Sequence, residues 1–235
     1  MNKESQISWQ KLPTVVDLTE EGKRKNRESS EIADLLDASF EEIESPVPEE
    51  PDTGWSVEAL LRNFRFGGGD MPVIVSAAAG LLNLAHTLRL TDDKPDTSEL
   101  RSATIDAVTR YERDLAGARI SPERARAAHY IVCATVDDVV LSKPWGVRCG
   151  WARSGLVSTF HMDVTGGDRV FDLLDHFHQS PGANKDLLLL IYLSLSLAFE
   201  GRTRVSPRGS LELARIRDSL YKTLLGQYGI VEREL

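Results

Sequence analysis

The stretch Tyr130-Ile-Val-Cys-Ala-Thr-Val-Asp-Asp-Val-Val-Leu141 is almost entirely apolar, yet it contains the adjacent carboxylates Asp137 and Asp138. It is preceded by Ser121-Pro122-Glu123, which supplies a capping hydroxyl, a proline suited to the first helical turn and an acid near the positive end of the helix dipole. Pro144 disfavours helical backbone in the residue before it. The pattern predicts a long, buried helix from Pro122 to about Leu141.

The acidic pair on this helix needs an explanation, because burying a carboxylate is costly unless it is paired or hydrogen-bonded. Asp137 falls on the helical face of Tyr130 and Cys133, whereas Asp138 falls on the face of Ile131. Two structural explanations are an ion pair and a cap for the N-terminus of a neighbouring helix. Two functional explanations are a docking surface in a cleft and a metal-binding acid pair.

Helical periodicity extends over most of the chain beyond residue 72, and no segment shows sustained period-two alternation. Apolar stripes run over residues 73–88, 100–115, 122–141, 170–177, 187–199 and 213–224. The apolar run Leu187 to Phe199 would span only ~20 Å as a helix against a hydrocarbon core of ~30 Å, so it is interpreted as a core helix. The sequence predicts an all-α domain of about seven helices.

Charge divides the chain into two parts. Residues 1–56 hold six basic and fourteen acidic side chains, a charge of −8 that equals the net charge of all 235 residues. We expect residues 1–56 to be a disordered acidic tail. Residues 57–71, around Gly67-Gly68-Gly69, are interpreted as a linker, and residues 72–235 as the helical domain. Residues 57–235 carry no net charge, and they lack the clustered Lys and Arg of nucleic-acid-binding proteins.

Metal-binding motifs are weak in this sequence. His176 and His178 point roughly 160° apart on a helix, and no His-Glu-x-x-His spacing exists. The cysteines Cys133 and Cys149 are too few for a disulfide framework or a Cys-based zinc site, and Cys133 is interpreted as apolar packing. We therefore predict no metal and no cofactor.

The alternative function that the acidic pair leaves open is enzymatic. It is a metal-dependent helical hydrolase that uses Asp137 and Asp138 together with His129 or His161.

Several motifs in register make the chain resemble a known family. They are Tyr130-x-x-Cys133, Asp137-Asp138-x-x-Leu141-x-x-Pro144-Trp145-Gly146, Thr159-Phe160-His161, Gly166-Gly167-Asp168-x-x-Phe171 and Phe199-Glu200-Gly201-Arg202. This set resembles the signature of the DotU family, the TssL subunits of type VI secretion systems and their type IVB relatives. The likeness covers roughly Pro72 to Leu225. Thr165 and Thr203 stand where the family often has aromatic residues.

The resemblance implies a non-enzymatic protein with no small-molecule substrate. It implies a hook-like pair of helical bundles on the cytoplasmic side of the bacterial inner membrane, which docks an IcmF-like (TssM) membrane protein and baseplate components. A homodimer is a further candidate assembly. The residues that it places at a partner-binding site or cleft are Asp137, Asp138, Trp145, Glu200 and Arg202. Family members usually carry a transmembrane anchor, so this chain is expected either to be a soluble fragment or to have its anchor supplied otherwise. We favour the soluble fragment, with the anchor beyond Leu235.

The acidic tail contains a candidate phosphorylation site. Thr14-Val15-Val16-Asp17 fits the phosphothreonine-x-x-Asp pattern that forkhead-associated (FHA) domains read, and some type VI secretion gene clusters encode a Ser/Thr kinase and an FHA protein. Phosphorylation would add up to about two negative charges and three acceptor oxygens suited to an Arg-lined pocket. The alternatives are an unmodified tail residue and a phospho-regulated adaptor unrelated to secretion.

Treatment of the full chain with a Ser/Thr kinase is expected to create binding to an FHA-domain protein, because the new phosphate supplies the charge that such a pocket recognises. A pulldown before and after phosphorylation measures this. Thr14→Ala should abolish the binding, and undiminished binding by that variant would reject Thr14 as the site.

Overall fold

The computed structural model describes residues 56–66, 71–163 and 166–229. All regular structure in these ranges is helical. In chain order the helices are α1 Val57–Asn63, α2 Val73–Ser76, α3 Ala79–Leu90, α4 Thr97–Gly117, α5 Pro122–Ser142, α6 Pro144–Arg148, α7 Trp151–Ser154, α8 Leu156–His161, α9 Gly166–His178, α10 Pro181–Leu197, a 3-10 helix Gly201–Val205, and α11 Gly209–Tyr228. The predicted tail up to residue 55, with Thr14 and Asp17, lies outside the described residues.

The predicted all-α fold is confirmed, and the six predicted stripes fall on helices. The stripe over residues 73–88 is divided between α2 and α3, and the other five correspond to α4, α5, α9, α10 and α11. The additional helices α1, α6, α7 and α8 have four to seven residues each. Segments of one or two turns are too short to show a periodic pattern, which explains why the sequence predicts fewer helices than the structure contains.

Helix α1 occupies the first seven residues of the segment 57–71, which the sequence pattern predicts to be a linker. Ser56 caps this helix by accepting a hydrogen bond from Ala59 N at 3.1 Å. Val57 and Leu61 are buried in the apolar core. Helix α1 is therefore part of the folded body, which corrects the linker interpretation for these residues. Residues 67–70 lie outside the described part of the chain.

Helix α1 packs on α3 through backbone contacts. A Cβ atom added at Gly80 would lie 2.2 Å from the carbonyl oxygen of Leu61. The side-chain amide of Asn83, about one turn further along α3, donates to Leu60 O at 3.2 Å. The two helices can approach so closely because Gly80 carries no side chain.

Helix α5 lies at the centre of the domain. It contacts α3, α4, α8, α9 and α10, and every residue from Ala128 to Asp137 is buried. It begins at Pro122, as predicted, although the side chain of Ser121 at its N-cap position makes no capping hydrogen bond. Helix α5 thus presents most of its circumference to other helices, as its apolar sequence predicts.

The remaining helices pack against α5 or against one another. Among the N-terminal helices, the Tyr111 hydroxyl of α4 donates to Ile74 O of α2 at 2.8 Å. Among the C-terminal helices, α10 packs against both α9 and α11. The short helices α6, α7 and α8 reach the apolar core through Trp145, Trp151 and Leu156.

Helix α10 carries the apolar run that the sequence analysis assigned to the core. By length and composition alone, the segment Pro181–Val205 could cross a membrane. Five apolar side chains of α10 are nevertheless buried within the described fold: Leu187, Leu188, Leu190, Ile191 and Leu195. This is the packing expected of a core helix.

Gly80→Ala is expected to destabilise the domain by about 1–3 kcal/mol, because the new methyl group would clash with the Leu61 carbonyl and displace α1. Gly117→Ala is the matched control, since a Cβ atom at that helical position meets nothing within 4 Å. The control should be neutral or slightly stabilising. Urea unfolding of both variants measures the difference, and equal stabilities would contradict the packing of α1 on α3.

Candidate docking cleft

The carboxylate of Asp137 caps the N-terminus of α8. Its Oδ1 atom accepts hydrogen bonds from Trp151 Nε1 at 2.7 Å and from Leu156 N at 2.8 Å. Its Oδ2 atom accepts from Val157 N at 2.8 Å. These backbone N–H groups are donors that a helix leaves without intrahelical partners, and the helix dipole favours negative charge at this end. Asp137 therefore fastens α7 and α8 to the central helix.

The environment of Asp137 acts on its pKa in two directions. Burial raises the pKa of the Asp137 carboxyl, whereas the hydrogen bonds from Val157, Leu156 and Trp151 and the nearby charge of Arg101 lower it, and the net direction is upward. All three hydrogen-bonding groups donate to the carboxylate, so they satisfy the ionised form. The close fit extends to Gly155, where a Cβ atom would lie 2.8 Å from Asp137 Oδ2.

Asp138 makes a different set of contacts, on the other side of the same helical turn. Its Oδ2 atom accepts hydrogen bonds from Glu200 N at 2.9 Å and from Arg204 Nη2 at 2.6 Å. Arg204 lies in the 3-10 helix, and Glu200 immediately precedes it. Asp138 thereby joins α5 to the segment that follows α10.

A chain of ion pairs extends this contact. Glu200 Oε1 lies 2.8 Å from Arg89 Nη2 at the end of α3, and Glu200 Oε2 lies 3.9 Å from Arg204 Nη1. Arg89 also donates to Ala198 O at 3.0 Å. These alternating charges join α3, α5 and the segment around the 3-10 helix.

A cleft of about 520 Å³ opens above the acidic pair. Helix α5 contributes Ala134 and Leu141 beside the two aspartates. The other lining residues come from α7, α8 and the residues that border them, from the start of α9 and from the 3-10 helix: Trp151, Ala152, Gly155, Val157, Ser158, Asp163, Gly167, Asp168, Gly201, Arg202, Arg204 and Val205. The segments held by Asp137 and by Asp138 therefore form two sides of one depression.

Three of the five predicted site residues line this cleft, namely Asp137, Asp138 and Arg202. The guanidinium carbon of Arg202 lies 4.6 Å from the ring centroid of Phe171, a cation–π contact. Glu200 is placed beside the cleft through its contacts with Asp138. Trp145 is only 5% exposed and does not line the cleft, so the structure places it in the core.

Three residues on which this site depends do not stand out in the sequence pattern. Arg204 pairs with Asp138, Trp151 donates to Asp137, and Gly155 leaves room for the Asp137 carboxylate. Arg204 comes two residues after the Arg202 of the family-like motif, which is the signal that could have pointed to it. Trp151 and Gly155 lie in or beside short helical turns without a periodic pattern.

The geometry of the acidic pair is that of structural contacts. Asp137 caps a helix and Asp138 forms an ion pair, which are the two structural explanations that the sequence left open. The histidines named in the hydrolase alternative, His129 and His161, lie together with Cys133 in a separate cluster that includes neither aspartate. Within the described residues, Asp137 and Asp138 are not arranged as joint ligands for a hydrolytic metal.

Comparisons with known proteins agree with the resemblance that the motifs indicate. The family described as type VI secretion system protein DotU matches residues 73–235. Among solved structures, TssL from Vibrio cholerae is 28% identical, with a TM-score of 0.61, and the match covers 68% of this chain and 99% of that chain. A comparison with curated proteins gave no match. The family and the fold inferred from the sequence are confirmed.

Asp137→Ala is expected to destabilise the domain by about 3 kcal/mol, because it leaves three buried N–H donors without their acceptor. Asp138→Ala should cost only about 1 kcal/mol, since its ion pair with Arg204 is partly exposed. Urea unfolding of both variants provides the comparison. Equal losses, or a larger loss for Asp138→Ala, would contradict the roles assigned to the two carboxylates.

Proposed function

Since this chain belongs to the DotU family, a component of the type VI secretion membrane complex, we propose that it is a non-catalytic scaffold that docks other proteins of that complex through the cleft beside Asp137 and Asp138. The partners proposed are an IcmF-like (TssM) membrane protein and baseplate components. The proposed location is the cytoplasmic side of the bacterial inner membrane. The observation that carries the proposal is that Asp137 and Asp138 fix the helical segments that form the two sides of the cleft.

The contacts of the carboxylates support a scaffold rather than an enzyme. A general acid, general base or nucleophile must be able to reach substrate and change its protonation or bonding. All of the contacts described for Asp137 are with protein N–H donors, and Asp138 is held by a guanidinium and a backbone N–H. These interactions position chain segments, which is what a docking surface requires.

The composition of the cleft supports recognition of a protein partner. Charged groups such as Asp168 and Arg202 line it together with apolar groups such as Val205. Val205 is 87% exposed, and Met162, next to the cleft residue Asp163, is 93% exposed. Exposed apolar side chains surrounded by polar groups are typical of protein–protein contact sites.

The acidic tail is proposed to act separately from the cleft. Phosphorylation of Thr14 would give an FHA-domain protein a second point of attachment, outside the family-like region. This part of the proposal depends on the sequence pattern Thr14-Val15-Val16-Asp17 and on the charge of the tail.

Val205→Asp is expected to reduce recovery of the partner proteins in a pulldown by about 10-fold, because it places a charge where an apolar contact is buried on docking. The side chain is exposed in the isolated domain, so folding should be unaffected. Recovery is measured separately for the IcmF-like protein and for baseplate components, together with the melting temperature of the variant.

Val147→Asp serves as the matched control. Val147 is also an exposed valine, at 63%, but it does not line the cleft. Wild-type recovery by Val147→Asp together with loss by Val205→Asp supports docking at the cleft. Full recovery of both partners by Val205→Asp, or the same loss in the control, rejects it.

A further inference from the structure

Three side chains with metal-binding atoms converge where the end of α8 meets α5. His129 and Cys133 lie one helical turn apart on α5, and His161 is the last residue of α8. His129 Nδ1 lies 2.9 Å from His161 Nε2 and 3.7 Å from Cys133 Sγ. The three ligand atoms all lie within 4.8 Å of one another. Tertiary packing thus assembles a cluster that the spacing of these residues along the chain does not suggest.

These separations are close to those that a tetrahedral zinc ion imposes. With Zn–N bonds of about 2.05 Å and a Zn–S bond of about 2.3 Å, two nitrogens lie roughly 3.3 Å apart, and a nitrogen and a sulfur about 3.6 Å apart. The observed 2.9 Å and 3.7 Å differ from these values by less than about 0.5 Å. The third separation, between Cys133 Sγ and His161 Nε2, is at most 4.8 Å, so coordination requires these two side chains to approach each other by up to roughly 1 Å.

The donor atoms of the cluster suit a cation. Each neutral imidazole ring has one nitrogen lone pair available as a ligand, and the Cys133 thiol becomes a ligand when it loses its proton. A bound metal ion would displace that proton to solvent.

Hydrogen bonding alone satisfies this cluster incompletely. Nδ1 of His129 faces both His161 Nε2 and Cys133 Sγ, although it can carry only one proton or one lone pair. Nε2 of the same ring is buried without a hydrogen-bond partner among the described residues. Most buried polar atoms in proteins do have a partner. Coordination of Nδ1 to an ion would replace its two competing contacts with one bond, and the ring proton would then lie on Nε2.

An ion could reach the cluster from one side. His161 is half-buried and lines a shallow cavity of about 400 Å³ together with Glu123, Arg126 and Arg169. The two guanidinium groups oppose a cation, but Arg169 is paired with Asp163 at 3.3 Å, which balances its charge. The same open side leaves room for water as a fourth ligand.

We propose that His129, Cys133 and His161 bind one Zn²⁺ ion, which fastens the end of α8 to α5. Imidazole and thiolate are ligands that zinc prefers. None of the three residues lines the docking cleft, so the site is distinct from it. The ion would join the same two helices that Asp137 joins, and it would thereby stabilise one wall of the cleft without contacting a partner.

The test uses the full chain after removal of metal with a chelator. Titration with Zn²⁺ against a chromophoric competitor should show one ion bound per chain, and the melting temperature should rise by about 5 °C at a hundredfold excess of Zn²⁺ over Kd. Co²⁺ serves as an optical probe, because thiolate coordination gives it a charge-transfer band. His161→Gln and Cys133→Ala should each weaken Zn²⁺ binding by at least about 10-fold.

His176→Gln and Cys149→Ala are the matched controls, since both residues are exposed and lie outside the cluster. Both should bind Zn²⁺ as the wild type does. Unfolding in the presence of chelator checks that the metal-free variants fold, and His161→Gln decides the matter if Cys133→Ala does not fold. No Zn²⁺ binding by the wild type, unchanged binding by His161→Gln, or equal loss in the controls would overturn the proposal.

Discussion

The Asp137 carboxylate is the contact on which the functional surface depends. Helices α7 and α8 have four and six residues, and helices of this length are unstable in water because the cost of nucleation exceeds the gain from the few hydrogen bonds they form. Asp137 accepts hydrogen bonds from both segments and meets the first N–H groups of α8. One buried side chain of the central helix thus holds α7 and α8 in place as a wall of the cleft, although neither helix would be stable by itself.

The adjacency of Asp137 and Asp138 has a geometric meaning. Successive residues on an α-helix point about 100° apart, so two neighbouring carboxylates can reach segments on different sides of the same turn. One holds α7 and α8, and the other holds the 3-10 helix through Arg204. Both sides of the cleft are consequently attached to a single turn of α5. The distance between the two sides is therefore set by that turn and not by the loops that connect them.

The fold was largely predictable from the sequence, because it follows from local pattern. Ser121-Pro122-Glu123 and the apolar run up to Leu141 predict α5 nearly as the structure has it, and burial costs alone limit the explanations for the acidic pair. Helix α1 was not predicted, because its two buried residues, Val57 and Leu61, are too few to show a helical repeat. The partners of the acidic pair, and the meeting of His161 with two side chains of α5, depend on tertiary packing, which spacing along the chain does not encode.

The close approach at Gly155 has a consequence for how related sequences can vary. A Cβ atom there would approach the Asp137 carboxylate to 2.8 Å, although the backbone torsion of Gly155 is one that any residue can adopt. The requirement for glycine is therefore imposed by the side chain opposite and not by the loop itself. In relatives of this chain, positions 137 and 155 should change together, with a side chain at 155 tolerated only where residue 137 is shorter than aspartate.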